Sequence, residues 1–383
     1  MKNFKKIIAI VLAAVMLFAV AGCNHSPSWS YKAGTTTYAE GVYIYSLFSA
    51  YNQAYSVLQT NLGNKFDANA SILDIESTFD ETNEKMLCKD WVISEADYIT
   101  KNLAVLDAKI AEYGITLDKA QVDSAREIAK EDWYLGPYYE YYVASGYEAT
   151  PYKDALEKYG ISFDSFFTST YLASVKQNAI FEYIYGKDGE KAVSNDELQK
   201  YFTENYTSYA YFIVNLYETD IDSATNQQKY YPYADELIKE REDELASYVK
   251  LMNSGTHYET IVNQYMKAHE ITTDPTVKNI ENLEFSSLGE EVLKELEKLN
   301  DGKATYIRVG EGDTSALYFI AKFDINKEAE DYLKNDNNRT SLLQSLKGEE
   351  FIELLDEATN TVEVEINTSS TDKYKPAMFE DML

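Results

Sequence analysis

Tyr209-Ala210-Tyr211-Phe212-Ile213-Val214-Asn215-Leu216-Tyr217 is the stretch on which the fold turns. Its aromatic and β-branched side chains suit a pleated, half-buried surface, and it is the first convincing strand in the chain. Before it, from Tyr38 onward, the pattern is helical. Val42, Tyr45, Leu47, Phe48, Tyr51, Tyr55 and Leu58 recur at three- and four-residue steps, the period of an amphipathic helix. Further helical periods follow over 94–113, 116–133, 152–159 and 162–185. Ser94-Glu95-Ala96-Asp97 and Ser194-Asn195-Asp196-Glu197 have the form of capping boxes, the second opening a helix to Tyr206. Beyond the strand come helices over 233–252 and 257–267, an irregular segment through Asn282, and a helix over 286–299. Strand-like runs at 305–309 and 315–323 then flank Gly310-Glu311-Gly312-Asp313, a hairpin-turn sequence. A long helix over 328–359, a short alternating run Val362-Glu363-Val364-Glu365-Ile366 and a polar tail complete the chain. The expected class is α+β, mostly helical, with a β-α-β-β module inserted.

At 383 residues the chain has room for two or three domains at about 150 residues each. Its 35 Lys and Arg face 64 Asp and Glu, a formal charge of −29, which leaves no basic footprint for nucleic acid. A hydrophobic content of 45% is too rich for a disordered acidic chain, so most of it folds. Gly-x-Ser-x-Gly, a phosphate-cradling glycine loop, His-Glu-x-x-His and an EF-hand loop are all missing from the sequence. Hydrolase and nucleotide chemistry therefore have no motif to stand on, and no cofactor or metal is expected. No carboxylate spacing singles out a glycosidase pair. Runs such as Lys239-Glu240-Arg241-Glu242-Asp243-Glu244 read as solvated helix faces.

The first residues decide the compartment. Lys2, Lys5 and Lys6 precede an apolar stretch from Ile7 to Val20, the pattern of a secretory signal. Val20-Ala21-Gly22-Cys23 resembles the bacterial lipobox, which implies cleavage before Cys23 and a diacylated cysteine. Two acyl chains are enough for stable anchoring. The alternatives are an uncleaved anchor or ordinary secretion. The lipidated reading puts the protein on the outer face of a bacterial cytoplasmic membrane. Cys88 is the one other cysteine, so neither an intramolecular disulfide nor a thiolate zinc site can form, and its apolar helical context suits a buried inert thiol. Residues 24–37, His25 among them, are polar and read as a tether reaching about 45 Å at ~3.3 Å per residue.

Tyrosine occurs 34 times. In Tyr138-Tyr139-Glu140-Tyr141-Tyr142 two readings stand: half-buried core positions, or a wetted aromatic surface for capturing unfolded polypeptide. Tyr45, Tyr51, Tyr55 and Tyr171 have the helical spacing of core residues.

Taken together, the lipobox, the helical module, the β-α-β-β module and the returning helix resemble a PrsA/SurA-type extracytoplasmic foldase with a parvulin-like domain. Three phrases carry the resemblance: Glu197 to Tyr206, like the helix leading into a parvulin unit; Asn253 to Ile261, like its helix junction; and Leu299 to Thr305, like the approach to its last hairpin. The resemblance implies a signal peptide at 1–22, a lipidated tether at 23–37 and a SurA N-terminal-like helical chaperone domain at 38–206. It further implies a parvulin-like domain at 207–325, a returning helix and short strand at 326–366 packing on the helical domain, and a tail at 367–383. Parvulin isomerases carry a histidine on the first strand and another on the last. Here those positions fall at Phe212 and Phe319, with Tyr211 and Tyr318 beside them as pocket positions, and Asp274 to Ile280 replaces the family's glycine-rich stretch. His257 and His269 fall near a helix and inherit no catalytic role; exposed or capping positions are expected for them. The expected function is ATP-independent, cofactor-free binding of unfolded or newly secreted polypeptides at the membrane, with isomerase chemistry weak or lost. An active prolyl isomerase and a surface scaffold for one specific partner are the alternatives.

Overall fold

The structure, a computed structural model, describes residues 29–79, 84–221 and 227–382. The signal, Cys23 and His25 lie outside the described residues. In chain order the first elements are β1 (Trp29–Ala33), β2 (Thr36–Ala39), α1 (Glu40–Leu62), β3 (Glu76–Thr78), β4 (Lys85–Leu87), α2 (Cys88–Glu112), α3 (Lys119–Leu135), α4 (Tyr139–Ala144), α5 (Tyr152–Leu156), α6 (Phe163–Ser169) and α7 (Tyr171–Tyr185). Next come α8 (Asn195–Asn205), β5 (Thr207–Asn215), β6 (Tyr217–Ile221), β7 (Gln228–Pro232), α9 (Asp235–Asn253), α10 (Tyr258–Ala268), β8 (Val277–Glu281), α11 (Glu290–Lys298), β9 (Ala304–Val309) and β10 (Ala316–Phe323). The last are α12 (Ile325–Lys334), α13 (Asp336–Thr361), β11 (Glu365–Ile366) and α14 (Thr368–Thr371). The chain mixes many helices with separate sheets, an α+β composition.

It divides into two compact units: one runs through Ile184 and resumes at Glu350, and the other is Tyr185–Glu349. The breaks fall outside those expected at 206/207 and 325/326. The reason is an aromatic contact: Phe202 of α8 is fully buried and stacks on Tyr332 of α12 at 4.4 Å, so both flanking helices join the sheet unit.

In the first unit α1 and α2 pack through a shared core. Leu47, Ala50, Ala54 and Leu58 of α1 and Val92 and Ala96 of α2 are all fully buried, the alanines letting the helices approach closely. Ser94–Asp97 lies inside α2 rather than at its start; Asp97 instead accepts the hydroxyl of Tyr31. Cys88 is fully buried, and burial pushes its thiol up to about 12.

Both ends of this unit correct the sequence reading. Residues 29–37, expected as tether, form the hairpin β1–β2, turning at Gly34 (φ 56°), and β1 also pairs with β11, Tyr31 opposite Ile366. Ser30 Oγ donates to the Ala39 carbonyl at 2.9 Å. Ser/Thr/Gly content suggested solvation, but Tyr31 and Tyr38 alternate inward and are buried. Of the tail expected at 367–383, the described residues, 367–382, are folded as well: α14 is followed by a 3-10 turn, Pro376–Met382, that inserts Phe379 fully buried between Phe48, Tyr51 and Tyr159. Tyr374 and Ser370 donate hydroxyls to the Glu40 carboxylate at 2.9 and 2.5 Å.

The second unit is built on an antiparallel sheet in the order β8-β5-β10-β9. The segment expected to be irregular through Asn282 contains β8, an edge strand whose half-exposed Lys278-Asn279 gives little hydrophobic alternation. The helix expected over 286–299 starts at Glu290. β6 and β7 form a separate two-stranded ribbon. At the N-terminus of α8, Ser194 Oγ accepts the Glu197 N–H at 3.2 Å, the cap that the sequence calls for. The long helix expected over 328–359 is two helices, because Asn335 breaks it. The Asn335 Oδ1 accepts the N–H groups of Asn337 and Asn338 at 3.0 and 3.1 Å and so caps α13.

Candidate functional site

Side chains alternate across a strand, so the sheet of the second unit has two chemically distinct faces. On one face Phe212 lies directly opposite Phe319 in the β5–β10 ladder, and the rings stack at 5.0 Å. Tyr265 of α10 stacks on Phe212 at 4.7 Å, and Leu245 and Met252 of α9 complete the cluster. Both phenylalanines are fully buried. The expected pocket positions Phe212 and Phe319 are therefore core residues, sealed by α9 and α10, and cannot touch an incoming segment.

The other face carries Tyr209, Tyr211, Tyr318 and Ile320. α11 covers part of it with Val292 and Leu296, burying Tyr209 and Ile320. Tyr211 and Tyr318 remain half-buried, stacked at 5.8 Å. Beside them Ile213 and Val277 are exposed, and Phe285, on the turn after β8, is 81% exposed. A polar knot closes one end: Tyr209 and Ser286 each donate a hydroxyl to Glu281 Oε1 at 2.5 Å, and Asn279 Nδ2 donates to the Tyr209 oxygen at 3.0 Å. Burial first, then the Glu281 contact, pushes the Tyr209 hydroxyl up to about 12, so it stays a neutral donor. The face offers aromatic rings and one carboxylate. Such a surface suits binding of an amide-bearing or ring-bearing segment. Nothing in the sequence marked Glu281, one acid among 64.

His257 sits at the N-cap of α10 without a side-chain cap bond. His269 takes one of the two positions expected of it, the C-cap of α10, where its backbone N–H donates to the Tyr265 carbonyl at 3.1 Å. It is half-buried and tied to Glu244 at 2.9 Å and to Arg241 at 3.2 Å, while Glu244 also accepts the Tyr248 hydroxyl.

A second aromatic surface lies in the first unit. Between Gly136 and Thr150 the chain makes a protrusion with a closed base: a Cβ on Gly136 (φ 96°) would meet the Thr150 carbonyl oxygen at 2.7 Å, so only glycine fits. Tyr138 takes a left-handed conformation (φ 57°) to enter α4, and the bond from the Tyr147 N–H to the Tyr142 carbonyl, 2.9 Å, folds the far side back. Tyr138, Tyr141 and Tyr147 are 77%, 69% and 69% exposed, with Tyr139 and Tyr142 exposed beside them. Of the two sequence readings, half-buried core is thus excluded. Tyr147, which the sequence reading passed over, lies five residues beyond the cluster and shares its surface.

Among the described residues no group of three or more His, Cys, Asp or Glu could hold a metal ion, and no helix is long and apolar enough to cross a membrane. No protein-family model matches the sequence, and no curated protein matches it. Two solved structures are similar to the chain at low identity. Foldase protein PrsA from Streptococcus pneumoniae str. Canada MDR_19A is 12% identical, with 80% of this chain and 99% of that chain covered and a TM-score of 0.34. PrsA from Bacillus subtilis is 11% identical, with 80% and 100% covered and a TM-score of 0.28. Likenesses this remote leave the function to be argued from the chain's own geometry.

Proposed function

We propose that the protein is an extracytoplasmic, lipid-anchored chaperone that binds unfolded secreted polypeptides without nucleotide or cofactor. The observation that carries this reading is the tyrosine-rich protrusion at 136–150, whose base closes where Gly136 meets Thr150 and whose exposed rings have no core to join. Tyrosine supplies large contact area at small entropic cost and keeps its hydroxyl wet, which suits clients of many sequences. The strand order β8-β5-β10-β9, with two helices on one face and one on the other, supports a parvulin-like label for the second unit. Phenylalanine in both interior positions, and tyrosine rather than histidine on the open face, support binding without isomerase chemistry.

The test is suppression of aggregation of several unrelated reduced proteins by the intact chain and by Tyr138→Ser/Tyr141→Ser/Tyr147→Ser. Broad suppression by the parent and a loss of five-fold or more in the variant are expected. One tight partner with no general effect would instead identify a scaffold. Prolyl cis/trans exchange in a short peptide, followed by NMR, should show no acceleration at catalytic protein levels; acceleration would revive the isomerase reading and point to Tyr211, Tyr318 and Glu281.

A further inference from the structure

β5 and β6 are consecutive strands joined through a bend at Leu216, and along each strand successive residues turn their N–H and C=O to alternate edges. Leu216, between the two strands, fixes which edge is which. Its N–H donates to the Ser315 carbonyl at 3.0 Å and its carbonyl accepts the Tyr233 N–H at 2.9 Å. Even-numbered residues therefore face β10 and β7, and odd-numbered residues face the opposite edge. On that edge Glu281, Asn279 and Val277 of β8 meet Thr207, Tyr209 and Tyr211, and the ladder stops there. Beyond it, among the described residues, no strand pairs with the outward groups of Ile213, Asn215, Tyr217 and Thr219; the ladder of β6 is with β7, on the inner edge. In that ladder Tyr217 lies opposite Pro232, whose missing N–H suits a pair that exchanges no bonds. The Ile221 N–H is taken by Asp220 Oδ1 at 2.8 Å, which ends the row.

Natural sheets guard such edges with proline, lysine or a covering element. The four residues of this row are uncharged and contain no proline, Ile213, Asn215 and Thr219 are exposed, and among the described residues no strand covers them, the acids Glu218 and Asp220 alternating with the row in β6. We propose that the edge from Ile213 to Thr219 takes an extended polypeptide segment as an added strand that follows the bend at Leu216, about 20 Å of client chain at ~3.4 Å per residue. The inference rests on the polypeptide-binding reading above and names the form in which a client is held. Main-chain bonds make no demand on client sequence, while Glu218 and Asp220, alternating with the row, favour lysine or arginine at every second client position. A second copy of this chain is the poorer occupant, because edge pairing would bring like acids together between two molecules of charge −29.

The test uses the chain from residue 23 onward with Cys23→Ser, which keeps it in solution, and a labelled seven-residue peptide of alternating valine and lysine, with binding read by fluorescence anisotropy. The parent peptide should bind, and the same peptide N-methylated at every second amide, in one register or the other, should bind at least ten-fold more weakly. Thr219→Pro, which removes an outward N–H and no bond of the inner ladder, should weaken the parent peptide similarly. Equal binding of both N-methylated forms overturns the proposal even if Thr219→Pro fails to fold. A dimer in sedimentation velocity that Thr219→Pro converts to monomer also overturns it, giving the edge to a second copy. Failure of the parent chain to bind the parent peptide while it still suppresses aggregation sinks the added strand alone, whereas failure of the parent chain to suppress aggregation sinks the chaperone reading.

Discussion

Tyrosines of the first unit fall into two populations that differ in what their hydroxyls touch. Tyr31, Tyr38, Tyr98 and Tyr171 each donate to a carboxylate on another element, Asp97, Asp107, Asp356 and Asp132 respectively. Tyr138, Tyr141 and Tyr147 sit on the protrusion with their rings in water. The difference explains why so acidic a chain is so rich in tyrosine. With 64 acids and 35 basic residues, cations run short, and a phenol satisfies a half-buried carboxylate as a neutral donor while its ring fills the core. Tyrosine on the protrusion has no such partner and no such duty, which leaves its surface for other molecules.

Breaking the first population should have the largest effect. Tyr38 is buried, with its hydroxyl 2.5 Å from Asp107 and 3.2 Å from the Leu103 carbonyl, and Lys176 holds the other Asp107 oxygen. Tyr38→Phe keeps the ring and strands the half-buried carboxylate, and urea unfolding should register a loss of about 1.5–3 kcal/mol. Other buried tyrosines, in both units, should yield to base. Burial, then nearby acids, raises Tyr43, Tyr51, Tyr209 and Tyr374 from near 10 to about 12. A raised folded value means that the stabilisation is complete below about pH 10 and is lost as pH climbs through 12, so the urea midpoint should be flat from pH 7 to 9 and fall beyond 10. A midpoint that does not move up to pH 12 would contradict the buried, neutral hydroxyls. The smallest effect belongs to the second population: Tyr141→Ser should alter stability by less than about 0.5 kcal/mol while weakening client capture, and a larger loss of stability would show that the protrusion is structural after all.

The alternation of aromatic and β-branched residues made β5 legible, and three- and four-residue periods did the same for α1 and most of the helices. What was hidden had physical causes. Val277-Lys278-Asn279-Ile280-Glu281 is a short edge strand, and half-exposed edges do not need hydrophobic alternation. Residues 29–37 read as tether because threonine and serine serve strands and loops alike, and one inward tyrosine, Tyr31, is too little to form a period. Phe212 and Tyr211 differ by one position, and in a strand one position is the difference between sealed core and open face. Which parity faces the helices depends on where α9, α10 and α11 pack, and no strand records that in its own residues. The open row from Ile213 to Thr219 was hidden for a similar reason, since it exists only because β8 ends opposite Tyr211.

The sheet joining β1 to β11 has a consequence for how the chain is made. Asn367 donates its side-chain N–H to the Trp29 carbonyl at 2.8 Å, a contact between residues 338 positions apart. Tyr185–Glu349, by contrast, is one uninterrupted stretch. A chain made N-terminus first can complete the sheet unit while the helical unit still lacks β11, the seat of Phe379 and the partners of Glu40. Long-range closure of that kind is slow and leaves apolar surface uncovered in the meantime. The residues made last decide when those made first can settle.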